Sequence, residues 1–285
     1  MTPEGSDRAL AAVAVTALAL ASAWALWAVG APRRDSWWVI GADTDLSVVV
    51  ARITTGNTNV LAGQAETRVT VLPTGGSPIE HRAVHARGAS TAAGAFAEPD
   101  RITAVPEGWE LRVGGAGLGA RLSVLGAAPG CPATAGALAG TVSDPADGRL
   151  LSGGAVVVRT VGPAGAGAAL YVVGPRFAAA IDPAALACPA WVWTPDTTWT
   201  GDAPPAPRRH GDSVTLGAWT LTLDVLDAPV EQPGVAHLLP VERTVAAVFG
   251  GSAGVTLRRA VVGVRGREGA RALAGVSIVR QRGSD

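Results

Sequence analysis

Polar and apolar residues alternate along Glu66-Thr67-Arg68-Val69-Thr70-Val71-Leu72, as on a half-buried β-strand. Trp219-Thr220-Leu221-Thr222-Leu223-Asp224-Val225 repeats the pattern more cleanly, with Trp219, Leu221, Leu223 and Val225 on one face. Alternation or β-branched enrichment predicts strands over 46–53, 67–72, 109–113, 120–125, 155–161, 170–173, 219–226, 245–249, 255–264 and 272–279. An Ala-rich stretch over 177–186 predicts a helical turn or two, interrupted by Pro183.

Short strands between Gly and Pro turns, with no helical patterns of about 10–15 residues between them, point to a mainly β protein. The expected architecture is two antiparallel β-barrel or sandwich units, not a doubly wound sheet. The strand pattern lapses between the two halves. The expected organisation is therefore a tail and anchor over 1–34, a first β domain over 35–128, a Gly/Pro/Ala-rich linker over 129–148 and a second β domain over 149–285. A further loop over 202–207 reads as an excursion between strands.

Residues 9–31 form a run of 23 without a charge, bounded by Arg8 and by Pro32-Arg33-Arg34-Asp35. At about 1.5 Å per residue a helix of that length reaches roughly 34 Å, enough for a hydrocarbon core of about 30 Å. Trp24 and Trp27 stand near its carboxyl end, where indoles favour the membrane interface. A cleaved signal peptide is the competing reading, with Ala28 and Gly30 at the −3 and −1 positions. Its n-region would hold one Arg beside Glu4 and Asp7, and the run exceeds an h-region of about 7–15 residues. A buried soluble helix is a third reading. The segment is taken as a single retained transmembrane helix. Flanking charges leave its orientation nearly balanced; the β-rich remainder and a lone pair of cysteines favour an extracytoplasmic location for the β region, in the cell envelope.

Composition adds two exclusions. The chain of 285 residues holds 37 Gly and 20 Pro, well above usual content, without a collagen period. Its 23 cationic residues are all Arg and balance 23 acidic ones. With no basic block, nucleic-acid binding is not expected, because phosphate neutralisation needs clustered cations.

Motifs with catalytic associations dissolve in context. Gly250-Gly251-Ser252-Ala253-Gly254 has the G-x-S-x-G spacing, but a strand pattern follows it and no His lies beyond His237, so it reads as a turn. Gly115-Ala116-Gly117-Leu118-Gly119 is followed by strand-like alternation, and reads as a hairpin loop, not a phosphate-binding one. His81 and His85 would share a helix face, but on a strand would stand roughly 13 Å apart, too far for one ion. No metal and no cofactor is expected. Cys131 and Cys188 fit no zinc or redox spacing; they are a disulfide candidate, or else two unrelated thiols. Trp191, Trp193 and Trp199 cluster in sequence, and either fill a core or line an apolar pocket. Trp37 and Trp38 follow the apolar run and either lie at the membrane interface or begin the first strand.

Three segments carry a family resemblance. Ser36-Trp37-Trp38-Val39-Ile40-Gly41 resembles the aromatic opening of the lipocalin-like two-barrel family that includes carotenoid hydratases and related cyclases. Leu150-Leu151-Ser152-Gly153-Gly154-Ala155-Val156 is similar to the start of its second barrel. The stretch from Val241-Glu242-Arg243 to Gly254-Val255-Thr256-Leu257 resembles its closing hairpin. The resemblance implies two lipocalin-like barrels over residues 35 to 282. It also implies an Asp-His pair after the start of the second barrel, where this chain has Val158-Arg159.

With that pair missing, no catalytic residue is assigned. The functional expectation is a membrane-anchored extracytoplasmic β protein that binds a hydrophobic small molecule, such as a lipid or isoprenoid, without catalysis. Trp191, Trp193 and Trp199 are its candidate ligand-binding residues. One alternative is an envelope structural or assembly protein acting through protein contacts. Another is an isoprenoid hydratase or cyclase-like enzyme, with Asp182, Asp196 or Asp224 as its acid.

Overall fold

The computed structural model describes residues 13–18, 22, 34–44, 47–56, 64–75, 77–114, 118–127, 133–143, 148–162, 168–174, 176–182, 188–205, 211–225, 230–232, 255–266 and 269–280. The chain divides into two units, Met1–Pro32 and Arg33–Asp285. In the first, residues 13–18 and Ser22 are helical, and the Ser22 hydroxyl donates to the Leu18 carbonyl at 2.8 Å. The rest of the expected membrane helix over 9–31 lies outside the described residues. Among the described residues, no helix is long and apolar enough to cross a membrane, so the single-pass reading gains no support from them.

The second unit is built of antiparallel strands in two sheets. The first sheet comprises β1 (Arg34–Asp43), β2 (Val48–Gly56), β3 (Ala65–Leu72), β4 (Ile79–His85), β5 (Ala89–Thr91), β6 (Gly94–Ala97), β7 (Asp100–Val105), β8 (Gly108–Val113), β9 (Leu118–Ala127), β10 (Ala133–Ser143) and β11 (Gly148–Gly162). Their order is β4-β3-β2-β1-β11-β10-β9-β8-β7-β6-β5. The second comprises β12 (Ala168–Gly174), β13 (Phe177–Ile181), β14 (Ala190–Trp193), β15 (Thr198–Gly201), β16 (Ser213–Leu216), β17 (Trp219–Val225), β18 (Val230–Gln232), β19 (Val255–Gly266) and β20 (Gly269–Arg280). Here the order is β15-β14-β13-β12-β20-β19-β17-β16, with β18 also paired to β19.

The mainly β, antiparallel expectation matches this architecture, and Trp37 and Trp38 lie in the first strand. β8 and β9 pair antiparallel, with Val113 opposite Leu118, as the hairpin reading expects; residues 115–117 between them lie outside the described residues. Two local readings need correction. Residues 129–148, read as a linker, contain β10, which pairs with both β9 and β11; the sheets change over instead between β11 and β12. Small residues such as Ala135, Gly136 and Ala137 lack a strand signature alone but pair readily between two long neighbours. The Ala-rich stretch read as helical begins with β13, all five of whose residues are buried between β12 and β14. Sheet pairing there overrides alanine's helix propensity. The predicted strand over 245–249 and the turn over 250–254 lie outside the described residues.

Alternation assigns each strand's two faces to different cores. Trp37, Val39, Val49, Ala51, Ile53, Val69, Val71, Ala155 and Val157 point into the first sheet, which rolls so that β2 and β3 face β6. Leu170, Val172, Ile181, Val192, Leu221, Leu223 and Val262 fill the second sheet's interior. A third core joins the sheets: Trp38, Ile40, Val48, Val50, Val156 and Val158 meet Tyr171, Val173, Ala180, Trp191 and Trp193.

Cys188 is buried in this joining core and is disulfide-bonded; the other cysteine of the sequence, Cys131, is outside the described residues. A bridge between them would contribute about 4 kcal/mol in the chain-entropy model. The expected outcome is that unfolded, unreduced protein takes up no alkylating reagent, and that reduction frees two thiols per chain in mass spectra. Alkylation of two cysteines before reduction would refute the pairing.

Candidate active site

The three tryptophans singled out in sequence do not converge. Trp191 and Trp193 flank Val192 on β14 and share the face that looks toward the first sheet, where both are buried. Trp199 lies opposite Val192 on β15 and therefore packs into the other face, the second sheet's interior. A Cβ at Gly217, whose φ is +56°, would stand 2.8 Å from the Trp199 Nε1, so the indole is closely fitted by backbone. The period of two separates what the linear spacing grouped.

On the face that carries Trp191 and Trp193 stands a buried acid. Asp182 immediately follows β13 and shares the parity of Ala178 and Ala180, so it too belongs to the joining face. Its backbone N–H donates to the Pro189 carbonyl at 2.8 Å. The Tyr171 hydroxyl donates to Asp182 Oδ2 at 2.7 Å, and each residue is only 3% exposed. Of the other two acids proposed from sequence, Asp196 is exposed on the turn after β14 and Asp224 is exposed on β17. Asp182 alone of the three combines burial, an oriented carboxyl and aromatic surroundings. Such a group can hand a proton to an apolar substrate, while indole faces stabilise the cation that results.

A second polar group on the first sheet faces the same way. Arg52, Arg68 and Arg82 lie directly opposite one another across β2, β3 and β4, and Trp38 continues the row on β1. Glu66, one pair along β3, gathers all three: Arg82 Nε donates to its Oε1 at 2.7 Å, Arg68 Nη2 is 3.5 Å away and Arg52 Nη2 is 3.7 Å away. The Arg52 guanidinium lies 5.0 Å from the centre of the Trp38 ring. Burial by itself would raise the Glu66 carboxyl, but the three arginines outweigh it and hold it below its ordinary value. Burial lowers Arg68, against the pull of Glu66.

The first sheet's interior carries other polar pairs. His81 and His85 share a face of β4, as expected for a strand; His85 Nε2 lies 3.0 Å from Asp100 Oδ2 and 3.1 Å from the Thr67 hydroxyl. Asp100 also accepts the Gly114 N–H at 2.7 Å. This Asp–His contact was invisible in sequence, because it forms across the rolled sheet between β4 and β7. Where the resemblance implies an Asp-His pair, Arg159 instead grips Asp35 with Nε at 3.1 Å and Nη2 at 2.7 Å, and that bonding raises Arg159 above its usual value. Its guanidinium lies 5.7 Å from the Trp37 ring centre.

No protein-family model matches the sequence, and no curated protein does. Among solved structures, the chain is similar to kievitone hydratase from Nectria haematococca, with a TM-score of 0.55 and 10% identity. That match covers 86% of this chain and 89% of the other. A protein of Nitrosomonas europaea assigned as AttH matches with a TM-score of 0.48 and 15% identity, over 88% of this chain and 93% of that one. The fold is thus one that a hydratase uses, which agrees with a lipocalin-like architecture. This counts against the expectation of a non-catalytic binding protein: a structural neighbour is an enzyme, and Trp199 is turned away from Trp191 and Trp193.

The Glu66 network has a pH consequence. A carboxyl whose folded pKa is depressed stabilises the fold above its unfolded value and loses that contribution as pH falls through the folded one. Glu66→Gln is expected to cost about 3 kcal/mol at neutral pH, by stranding buried arginines. The gap between wild type and variant should narrow as denaturant melts are taken into acid. A gap of the same size at every pH would show that the charge does not matter.

Proposed function

We propose that this protein is a hydratase- or cyclase-like enzyme acting on an apolar alkene, such as an isoprenoid chain, at the face where its two sheets meet. The observation that carries the reading is the Asp182 carboxyl, held by the Tyr171 hydroxyl beside Trp191 and buried in an apolar, aromatic core. The hydratase fold supports it.

The chemistry follows from the groups present. In the step proposed, a proton passes from the Asp182 carboxyl to one alkene carbon, so that a C–H bond forms and the π bond breaks. The tertiary carbocation left behind is stabilised by the indole of Trp191, which shares that face. In hydration a water oxygen bonds to that carbon and its proton returns to the Asp182 carboxylate. In cyclisation a second double bond attacks instead, and the carboxylate removes the proton that restores an alkene. Tyr171 is a positioning residue: its hydrogen bond fixes the orientation of the carboxyl.

The test incubates full-length protein with a panel of acyclic prenyl alcohols, their phosphate esters and hydrocarbons in deuterium oxide. Wild type is expected to place one carbon-bound deuterium in the product. Asp182→Asn should lower that rate at least about 100-fold while its thermal melt stays close to wild type. Tyr171→Phe should lower the rate about tenfold and shift its pH profile. Undiminished incorporation by Asp182→Asn, or none by wild type across the panel, would overturn the reading.

A further inference from the structure

The row Trp38, Arg52, Arg68, Arg82 runs from the joining core outward to β4, which ends the sheet's strand order. Exposure rises along it. Arg52 is 2% exposed, Arg68 is 6%, and the Arg82 side chain reaches 25%. Like charges directly opposite each other on neighbouring strands repel, and here three stand abreast. Within the buried part of the row Glu66 is the single carboxylate; Glu80, on the same face opposite Thr70, is exposed at the rim. The row's hydrogen-bonding capacity exceeds what Glu66 takes up: Arg68 Nη1 and Arg82 Nη2 are buried without a hydrogen-bond partner. Buried guanidinium N–H groups left unused are unfavourable, and a chain gains by supplying them with an oxyanion. At its inner end the row meets indole and aliphatic side chains, through Arg52 over Trp38.

We propose that this row receives the phosphate head of an amphiphilic ligand whose apolar chain lies toward Trp38. A phosphate monoester matches a cationic row on sign of charge and on geometry, because its tetrahedral oxygens can accept from more than one guanidinium at once. Taken with the reading of Asp182 as the acid, on which this assignment of substrate class rests, the enzyme's alkene is then a prenyl chain bearing a phosphate or diphosphate.

Binding is measured separately from turnover, so the two readings can fail separately. Full-length protein is titrated with decyl phosphate by calorimetry and tryptophan fluorescence, with decanol, decanoate and inorganic phosphate as comparisons. Decyl phosphate is expected to bind saturably and to raise the melting temperature, decanol to do neither, and decanoate and inorganic phosphate to bind more weakly. Arg82→Gln, at the accessible end of the row, should weaken decyl phosphate at least about tenfold. Glu80→Gln should strengthen it, which loss of a merely structural ion network would not do. Equal binding of decanol and decyl phosphate, equal binding of inorganic phosphate and decyl phosphate, or unchanged affinity in Arg82→Gln would each overturn the proposal. If deuterium incorporation into uncharged prenyl alcohols persists in that case, the acid stands and only the phosphate site falls.

Discussion

Strand β1 is buried on both faces, and the rest of the architecture follows from that. Trp37 and Val39 belong to the inside of the first sheet, while Trp38, Ile40 and Ala42 belong to the core that joins it to the second. β11, its hydrogen-bonded neighbour, divides in the same way, with Ala155 and Val157 inward and Val156 and Val158 outward. A strand with one apolar face could complete a single rolled sheet and leave the other face to water. Here the outward set removes two further layers of side chains from solvent, at about 25 cal/mol per Å² of apolar area. The register is correspondingly tight, because a slip of one residue would exchange the two sets.

The joining core also explains why Asp182 is notable. Polar groups within it are few among the described residues, and each is tied down. Asp182 takes the Tyr171 hydroxyl, the Trp38 indole donates to the Thr160 hydroxyl at 3.2 Å, and Ser36 meets Thr54 at 2.9 Å. The Glu66 network belongs to the same face but obeys a different balance. Removing guanidiniums from water is unfavourable, and among the described residues the Glu66 carboxylate and the Trp38 indole offset part of that cost.

Much of this was readable in the chain. The β-rich, antiparallel class came from alternation in segments such as 66–72 and 219–225, where the side-chain pattern reports its own face without reference to neighbours. The antiparallel pairing of β8 with β9 was legible for the same reason, since polar and apolar positions alternate on both sides of the glycines. Weak spots were the alanine- and glycine-rich strands β10 and β13. Their side chains contribute little hydrophobic signal, and they become strands because flanking strands offer hydrogen-bonding partners. The order of strands, with β1 beside β11 across more than a hundred residues, had no local signature at all.

The site divides along the same line. Sequence alone placed Trp191 and Trp193 on one strand face, since parity is a local property, but offered Asp182 only as one of three acids beside Asp196 and Asp224. It could not separate Trp199 from those two tryptophans, because that depends on which residue of β14 stands opposite. Nor could it show that Arg52, Arg68 and Arg82 lie abreast, that Glu66 gathers them, or that His85 reaches Asp100. Those are facts of register and of sheet rolling. Side-chain alternation is written residue by residue in the chain, whereas the pairing of distant strands is settled by the total area and hydrogen bonding that the folded sheets can satisfy together.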